Sequence, residues 1–268
     1  MNDTREFQTI RVEADEEGLG RLILNRPDRL NAIGATMLQE LAEAARWFDS
    51  HRELRVVILS GAGRAFCAGA DLQDMPRTDP QTQSWLYRRE VGQYGLRASD
   101  AIEQMRAVTI AQVQGYAVGG GVVLMAVCDL RVAAEDASFF IPEIDLGIPL
   151  AWGGIPKLVR EIGPAMTKEL VMTCRRFSPA EAKAMGFVNR VVPSAKLQSE
   201  TEALARELLA KPSVPVAITK EHVNAVTRAM SAGVTAFADG DLLQGVGASE
   251  ESRAAARAYR ERTLRKKS

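Results

Sequence analysis

Short apolar runs alternate along the chain with longer segments in which apolar residues recur three or four positions apart. The runs at residues 7–12 and 21–24 flank an acidic turn and predict a β-hairpin. Residues 56–59 are apolar on both faces, which is typical of a buried parallel strand, and another strand is predicted over residues 108–113. Two further strands are predicted at residues 129–133 and 187–192.

The amphipathic segments predict helices between these strands. An apolar stripe indicates a helix over residues 36–49, with Thr36 and Gln39 in the spacing of a capping box. One helix is expected between residues 81 and 106, and another over residues 120–126.

A short helix is expected where Ser178 precedes a proline and Glu181, because this order combines an N-cap, a first-turn proline and a capping box. Gly186 is positioned to end that helix. From about residue 199 onward the pattern is helical throughout. Strand–helix alternation followed by a helical tail predicts an α/β core over residues 1–195 and a C-terminal α-helical extension over residues 196–268.

The composition bounds the possible functions. The chain has 268 residues, 46% of them hydrophobic, so it can bury a large core without a disulfide or a metal. Its 34 Lys and Arg residues balance its 34 Asp and Glu residues, which argues against a protein that coats nucleic acid or an anionic membrane. The three cysteines lack metal-binding spacing, and two histidines are too few for a multi-histidine site. We therefore expect no metal and a reducing, cytoplasmic location.

Residues 107–128 form a stretch of 22 residues without a charge, long enough to span a bilayer. Two glutamines lie inside this stretch, and Gly115 and the glycine triplet at residues 119–121 divide it. A buried strand, a glycine turn and a buried helix therefore explain it better than a membrane span.

Two turns built of small residues, 64–72 and 114–121, each follow a buried strand. Turns without bulky side chains let a ligand approach backbone N–H groups. The second turn also opens a helix, whose first N–H groups carry partial positive charge. Two such donors directed at one oxygen would form an oxyanion hole. The alternative is that these glycines serve only packing and turn formation.

Motifs follow one another in a fixed order along most of the chain. They are residues 25–32 (NRPDRLNA), 65–72 (AFCAGADL), 115–121 (GYAVGGG), 128–131 (CDLR), 142–147 (PEIDLG) and 178–188 (SPAEAKAMGFV). Together they resemble the signature of the enoyl-CoA hydratase/isomerase (crotonase) superfamily. The resemblance implies a crotonase-like spiral of ββα units and a helical tail that packs in a homotrimer or a dimer of trimers. It also implies an acyl-CoA thioester as the substrate and no separate cofactor.

The resemblance further implies roles for single residues. It places an oxyanion hole at the backbone N–H groups of Ala70 and Gly120 and a catalytic carboxylate at Glu143. Hydratases of the superfamily carry a second glutamate where this chain has Val123. Because one carboxylate suffices to move a proton from the α to the γ carbon, isomerisation of 3-enoyl-CoA to 2-enoyl-CoA is the leading hypothesis. Asp145 is the reserve acid.

Substrate contacts are implied at further positions. Arg26 and Arg29 are expected to face the CoA phosphates and Tyr259 to stack near the adenine, with solvated surface side chains as the alternative. Trp152 either lines the acyl pocket or only packs. The remaining expected substrate contacts are Ala68, Asp71, Leu72 and Val123.

Other activities remain open at this point. A 2-enoyl-CoA hydratase or a related hydrolase would recruit Asp145 or another group as its second acid or base. A non-catalytic acyl-CoA binding protein would keep Ala70 and Gly120 without proton chemistry. Dienoyl-CoA isomerases carry an aspartate eight residues beyond the glutamate, where this chain has Ala151, so that subgroup is disfavoured.

Overall fold

A computed structural model describes residues 3–74, 82–230, 238–247 and 249–265. Its strands are β1 Asp3–Glu6, β2 Ile10–Ala14, β3 Leu19–Leu24, β4 Val56–Gly61, β5 Val108–Val113, β6 Tyr116–Val118, β7 Leu130–Ala134, β8 Ser138–Phe140 and β9 Arg190–Val192. Seven of them form one sheet in the order β1-β2-β3-β4-β5-β7-β9, and β6 pairs with β8 in a second, small sheet.

The predicted hairpin and the predicted buried strands are confirmed. β2 and β3 pair antiparallel, and β1 adds a further antiparallel strand at the edge. From β3 onward the large sheet is parallel, through β4, β5, β7 and β9. The last of these strands begins three residues later than its apolar run, because Phe187 and Val188 pack in the core before the chain enters the sheet.

The helices surround this sheet. They are α1 Ala35–Ser50, α2 Trp85–Gly92, α3 Tyr94–Glu103, α4 Gly120–Val127, α5 Gly154–Thr173, α6 Pro179–Ala184, α7 Leu197–Leu209, α8 Ser213–Met230, α9 Asp239–Val246 and α10 Glu250–Arg265. The expectation of one helix between residues 81 and 106 was wrong, because Gln93 ends α2 and α3 begins at the next residue. Gly92 lies in that bend, where its backbone packs directly against Gly240 of α9.

The order of the elements produces a spiral. β5, β6 and α4 form one ββα unit, and β7, β8 and α5 form the next. β5 pairs parallel with β7, and β6 pairs parallel with β8, so the second unit lies beside the first, one turn further along. The α/β class and the spiral of ββα units are confirmed. β6 and β8 were not predicted, because strands of three residues are too short to show a periodic pattern.

The helix caps were predicted with mixed success. At α1 the capping box was wrong: the helix begins at Ala35 after an extended Gly34, so Thr36 already lies in the first turn. A side chain at Gly34 would meet the Asp74 carboxylate, which would have to move. At α6 the serine N-cap and the first-turn proline are confirmed, since Ser178 Oγ accepts a hydrogen bond from Glu181 N at 3.1 Å and Pro179 opens the helix. The Glu181 carboxylate pairs with Arg175.

Apolar side chains form a core on each face of the large sheet. The larger core packs between the sheet and α1, α3, α4 and α5, and a smaller one packs between the sheet and α7. Leu197, Leu204 and Ala205 of α7 are buried in the smaller core. The first helix of the C-terminal region therefore contributes to the folded core, and the division at residues 195 and 196 stays a prediction.

The uncharged stretch from residue 107 to residue 128 folds as β5, β6 and α4, so the predicted buried strand and buried helix are confirmed, with the short strand β6 between them. Among the described residues, no helix combines the length and the apolarity that crossing a membrane requires.

The three cysteines are free thiols in different surroundings. Cys67 and Cys128 are buried, and burial raises the pKa of each thiol to about 12. Cys174, in the turn after α5, is partly exposed.

Candidate active site

Backbone hydrogen bonds hold the small-residue loop after β4 from both sides. On one side Ala68 N donates to Leu30 O at 2.9 Å. On the other side Cys67 N donates to Tyr116 O at 2.9 Å, and Val118 N donates to Cys67 O at 3.0 Å. The loop is therefore fixed between the turn at residues 25–32 and β6.

This loop meets the start of α4 at Gly69 and Gly120. A Cβ built on Gly69 would lie only 2.7 Å from Val118 O and 3.8 Å from Gly120 N, and the φ of Gly69 is +86°. Ala70, the next residue, is exposed, whereas Gly120 is buried as the first residue of α4. Within the ranges that the structure describes, the N–H groups of Ala70 and Gly120 have no acceptor. Two backbone N–H groups without an acceptor among the described residues thus lie where the two small-residue turns adjoin.

Glu143 lies in the loop after β8, and its carboxylate group lies against Gly119. A side chain at Gly119 would overlap Glu143 Oε1, and the φ of Gly119 is +49°, so glycine is required there on both counts. Glu143 Oε2 is buried, with no hydrogen-bond partner among the described residues. Burial raises the pKa of the Glu143 carboxyl to about 7. Such a group can accept and release a proton near neutral pH.

Neither of the two positions considered for a second carboxylate provides a buried one beside Glu143. Val123 lies one helical turn beyond Gly120 and is 1% exposed. It packs tightly, since a Cβ built on Gly154 would lie 2.9 Å from Val123 Cγ2. Asp145 is exposed. The site therefore has one desolvated carboxyl from this loop, on Glu143.

The Trp152 side chain packs directly against Gly120. Its indole ring lies so close to Gly120 and to Gly95 of α3 that a side chain on either glycine would overlap it. Trp152 itself is partly exposed. Both readings of Trp152 are compatible with this position, because the ring packs between two helices and also borders the Gly120 backbone.

Arg26 and Arg29 both pair with Asp71. Arg26 Nη2 lies 3.0 Å and Arg29 Nη1 2.9 Å from Asp71 Oδ2, and Arg26 Nη1 donates to Ala32 O at 2.7 Å. Although burial opposes it, the hydrogen bond from Arg29 and the charge of Arg26 lower the pKa of Asp71. These ion pairs connect the turn at residues 25–32 to the loop after β4. Contact of either arginine with CoA phosphates stays a prediction and would have to compete with Asp71.

Tyr259 belongs to α10, which packs on the Glu143 loop of its own chain. A Cβ built on Gly147 would lie 2.9 Å from Ser252 Cα, so the helix and the loop are in direct contact. Burial raises the pKa of the Tyr259 hydroxyl, and the charges of Asp145 and Glu143 raise it further. Tyr259 is therefore near the mouth of the candidate site, while stacking on an adenine stays a prediction.

Three polar residues that support the site were not predicted. Asn31 is fully buried, and its side chain donates to Ala62 O at 2.9 Å and to Ala65 O at 2.8 Å, which braces the loop after β4. Ser99 and Asp239 hydrogen-bond the backbone around Trp152. The left-handed turn motif at Asn31 offered a signal, whereas Ser99 and Asp239 act across 53 and 86 residues, a separation that no local pattern reveals.

Comparison with known proteins gives a consistent result. A family model described as enoyl-CoA hydratase/isomerase matches residues 14–266. A probable enoyl-CoA hydratase of Mycobacterium bovis is 35% identical over 260 residues, which cover 92% of this chain and 97% of the relative. A peroxisomal Delta(3,5)-Delta(2,4)-dienoyl-CoA isomerase of Arabidopsis thaliana is 36% identical over 228 residues, 82% of each chain.

A solved structure supports the same conclusion about the fold. The crystal structure of an enoyl-CoA hydratase from Mycobacterium avium subsp. paratuberculosis superposes with a TM-score of 0.83 at 26% identity. The match covers 94% of this chain and 99% of that one.

Proposed function

The chain belongs to the enoyl-CoA hydratase/isomerase family, and on this premise we propose that it isomerises 3-enoyl-CoA thioesters to 2-enoyl-CoA with Glu143 as base and then acid. Its relatives are named hydratases or isomerases, so it is an acyl-CoA enzyme of the crotonase family. The names of the relatives leave the reaction itself open between addition of water and movement of a double bond.

The Glu143 carboxyl carries this proposal. Its Oε2 is buried and lacks a hydrogen-bond partner in the described part of the chain, and burial holds the pKa of the carboxyl at about 7. A shuttle must be ionised to take a proton and must then hold that proton long enough to return it. A pKa near the working pH balances these two demands.

The proposed reaction balances with this single group. Glu143 removes a proton from the α carbon of a 3-enoyl thioester, and the C–H electron pair forms a dienolate with negative charge on the carbonyl oxygen. Glu143 then returns the proton to the γ carbon, which leaves the double bond in the 2 position. No water is consumed, and no electrons leave the substrate.

The dienolate oxygen is proposed to bind the backbone N–H groups of Ala70 and Gly120. Neither donates to an acceptor in the described ranges, and the loops that carry them adjoin at Gly69. Fixed donors in a site without bulk water stabilise developing charge with little reorganisation, and one such donor contributes about 3–4 kcal/mol in enzymes that use it.

Hydration requires a base for the water and an acid for the α carbon. Val123, where hydratases have glutamate, is 1% exposed and packed against Gly154, and Asp145 is exposed. These surroundings favour isomerisation over hydration.

The experiment follows 3-hexenoyl-CoA and 2-hexenoyl-CoA in deuterated water by mass spectrometry. We expect the two alkenes to interconvert, with no product that has gained the mass of water. Products that have gained water would replace isomerisation with hydration. Binding of both thioesters without any conversion would contradict an enzymatic role.

Glu143→Gln is the decisive variant. Because the amide cannot take the α proton, we expect kcat to fall by at least about a hundredfold while the Kd for hexanoyl-CoA stays nearly constant. Glu135→Gln, a change at an exposed glutamate outside the site, is the matched control and should keep full activity. Asp145→Asn tests the reserve acid. A loss of activity in Asp145→Asn with full activity in Glu143→Gln would overturn the assignment.

A further inference from the structure

Trp152 has a backbone conformation that a tryptophan rarely adopts. Its φ is +61°, in the left-handed region, and Gly153 follows with a φ of +68°. For a bulky residue this conformation costs about 1–3 kcal/mol, and it persists only where the surrounding structure holds the residue there. Strain of this kind concentrates at ligand sites, so the position of Trp152 calls for a functional explanation.

Two hydrogen bonds from distant helices hold this turn. The Ser99 hydroxyl of α3, in a residue that is 1% exposed, lies 2.7 Å from Trp152 O and 2.6 Å from Gly95 O, so these two acceptors share its single proton. On the following residue, Gly153 N donates to Asp239 Oδ2 at 2.8 Å, and Asp239 is the first residue of α9. The strained turn is thus fixed from both flanks.

The two hydrogen bonds place the indole ring in a slot between α3 and α4. Both walls of the slot are glycines: a side chain at Gly95 would overlap the pyrrole edge of the ring, and one at Gly120 would overlap its six-membered edge. The ring therefore touches the backbone of the residue whose N–H is proposed to bind the thioester oxygen.

That contact defines which part of a substrate the ring would meet. When a carbonyl oxygen accepts a hydrogen bond from Gly120 N, the carbonyl carbon and the α carbon lie within a few bond lengths of the Gly120 backbone. The ring already occupies the space beside that backbone, so a substituent on the α carbon would compete with it for room.

We propose that Trp152 is a selectivity residue that restricts the site to acyl thioesters without a branch at the α carbon, and that Asp239 is a positioning residue for it. This inference rests on the proposed thioester site, but it does not depend on which reaction follows. It also gives the C-terminal region a part in substrate choice, since Asp239 belongs to α9.

The test measures binding, so that turnover is not needed. The Kd values of butyryl-CoA and 2-methylbutyryl-CoA, which differ by one α-methyl group, are determined by calorimetry for each variant. Wild type should bind butyryl-CoA at least about tenfold more tightly, and Trp152→Ala should shrink that ratio to about one. Equal affinities in wild type, or an unchanged ratio in Trp152→Ala, would overturn the proposal. If neither thioester binds wild type, the proposed function itself fails.

Further variants keep the proposal testable if Trp152→Ala does not fold. Trp152→Phe keeps a smaller ring in the same slot and should give an intermediate ratio. Trp85→Ala removes an exposed indole from α2 and should leave the ratio unchanged. An unchanged ratio in Trp152→Phe, or a matching drop in Trp85→Ala, would contradict the assignment.

Asp239 is tested by a matched pair. Asp239→Asn keeps an oxygen that can accept from Gly153 N and should preserve the Kd ratio. Asp239→Ala removes the acceptor and should lower the ratio, because the turn that holds the ring is released on one side. A purely structural role would lower the melting temperature in both variants and leave the ratio unchanged, which would remove Asp239 from the proposal.

Discussion

At the scale of single residues, Glu143 combines two properties that pull in opposite directions. Its burial lifts the pKa of the carboxyl to about 7, which suits proton transfer, and the same burial makes the ionised form costly in the folded protein. Both effects can be measured separately, because one appears in kinetics and the other in stability.

The kinetic consequence is a pH profile set by one ionisation. Only ionised Glu143 can remove the α proton, so kcat/KM for 3-hexenoyl-CoA should rise tenfold per pH unit below about 7 and level off above it. Initial rates at low substrate concentration between about pH 5 and about pH 9 give this profile. A profile that is flat through neutral pH would contradict Glu143 as the base.

Stability is expected to change with pH in the direction opposite to kcat/KM. The carboxyl has a pKa of about 7 when folded against 4.5 in the unfolded chain, so over this interval the folded state binds the extra proton and stability falls as pH rises. Glu143→Gln lacks this penalty. The free energy of unfolding of Glu143→Gln minus that of wild type should therefore increase by about 3 kcal/mol as the pH rises from about 4.5 to about 7. Urea denaturation at each pH measures this difference. A gap that does not change with pH would show that the carboxyl is solvated.

At the scale of elements, α8 is only loosely packed on the body of the molecule. None of its residues is buried, and a cavity of about 590 Å³ separates it in part from β5 and the end of α4. Lys220, whose side chain is 7% exposed, donates to Ala107 O and to Asp129 Oδ2, each at 2.7 Å. Lys220 therefore anchors the helix to the residue before β5 and to a residue between α4 and β7.

Removal of the anchor should loosen α8 alone. Lys220→Met keeps the length of the side chain and loses both hydrogen bonds, at a cost of about 2 kcal/mol. Amide exchange over Ser213–Met230 should accelerate while the parallel sheet stays protected. Lys211→Met, at an exposed lysine just before α8, is the control and should change neither segment. Uniform acceleration throughout the chain in Lys220→Met would show that α8 does not open independently.

At the scale of the whole molecule, α8 also presents apolar side chains to solvent. Val214, Val223, Val226 and Met230 are all more than half exposed. Apolar surface of this kind marks association sites, which is consistent with the homotrimer that the sequence predicts. We expect light scattering to give a mass of three times 29.2 kDa or a multiple of that trimer mass. Val226→Asp should lower the measured mass. A monomeric mass at micromolar concentration would contradict the prediction.

The sequence was informative about this fold wherever a pattern is local. Buried strands such as Val108–Val113 and the Ser178 cap follow from residue types at fixed spacings, and both were predicted. The strands β6 and β8 were not predicted, because they are too short to show a periodic pattern, and the break at Gln93 was not predicted either. The site divides in the same way. The small-residue turns were visible, whereas the burial of Glu143 and the support of Trp152 by Asp239 arise from tertiary contacts.

The distribution of the thiols has a practical consequence. Cys67 and Cys128 are buried with a pKa of about 12, so a maleimide or a spin label would react with the native protein at Cys174. The Cys174 sulfur lies near the backbone of Ile144 and Asp145, directly beside Glu143. The wild-type chain thus carries a natural attachment point for a reporter beside the Glu143 loop, with no engineered cysteine.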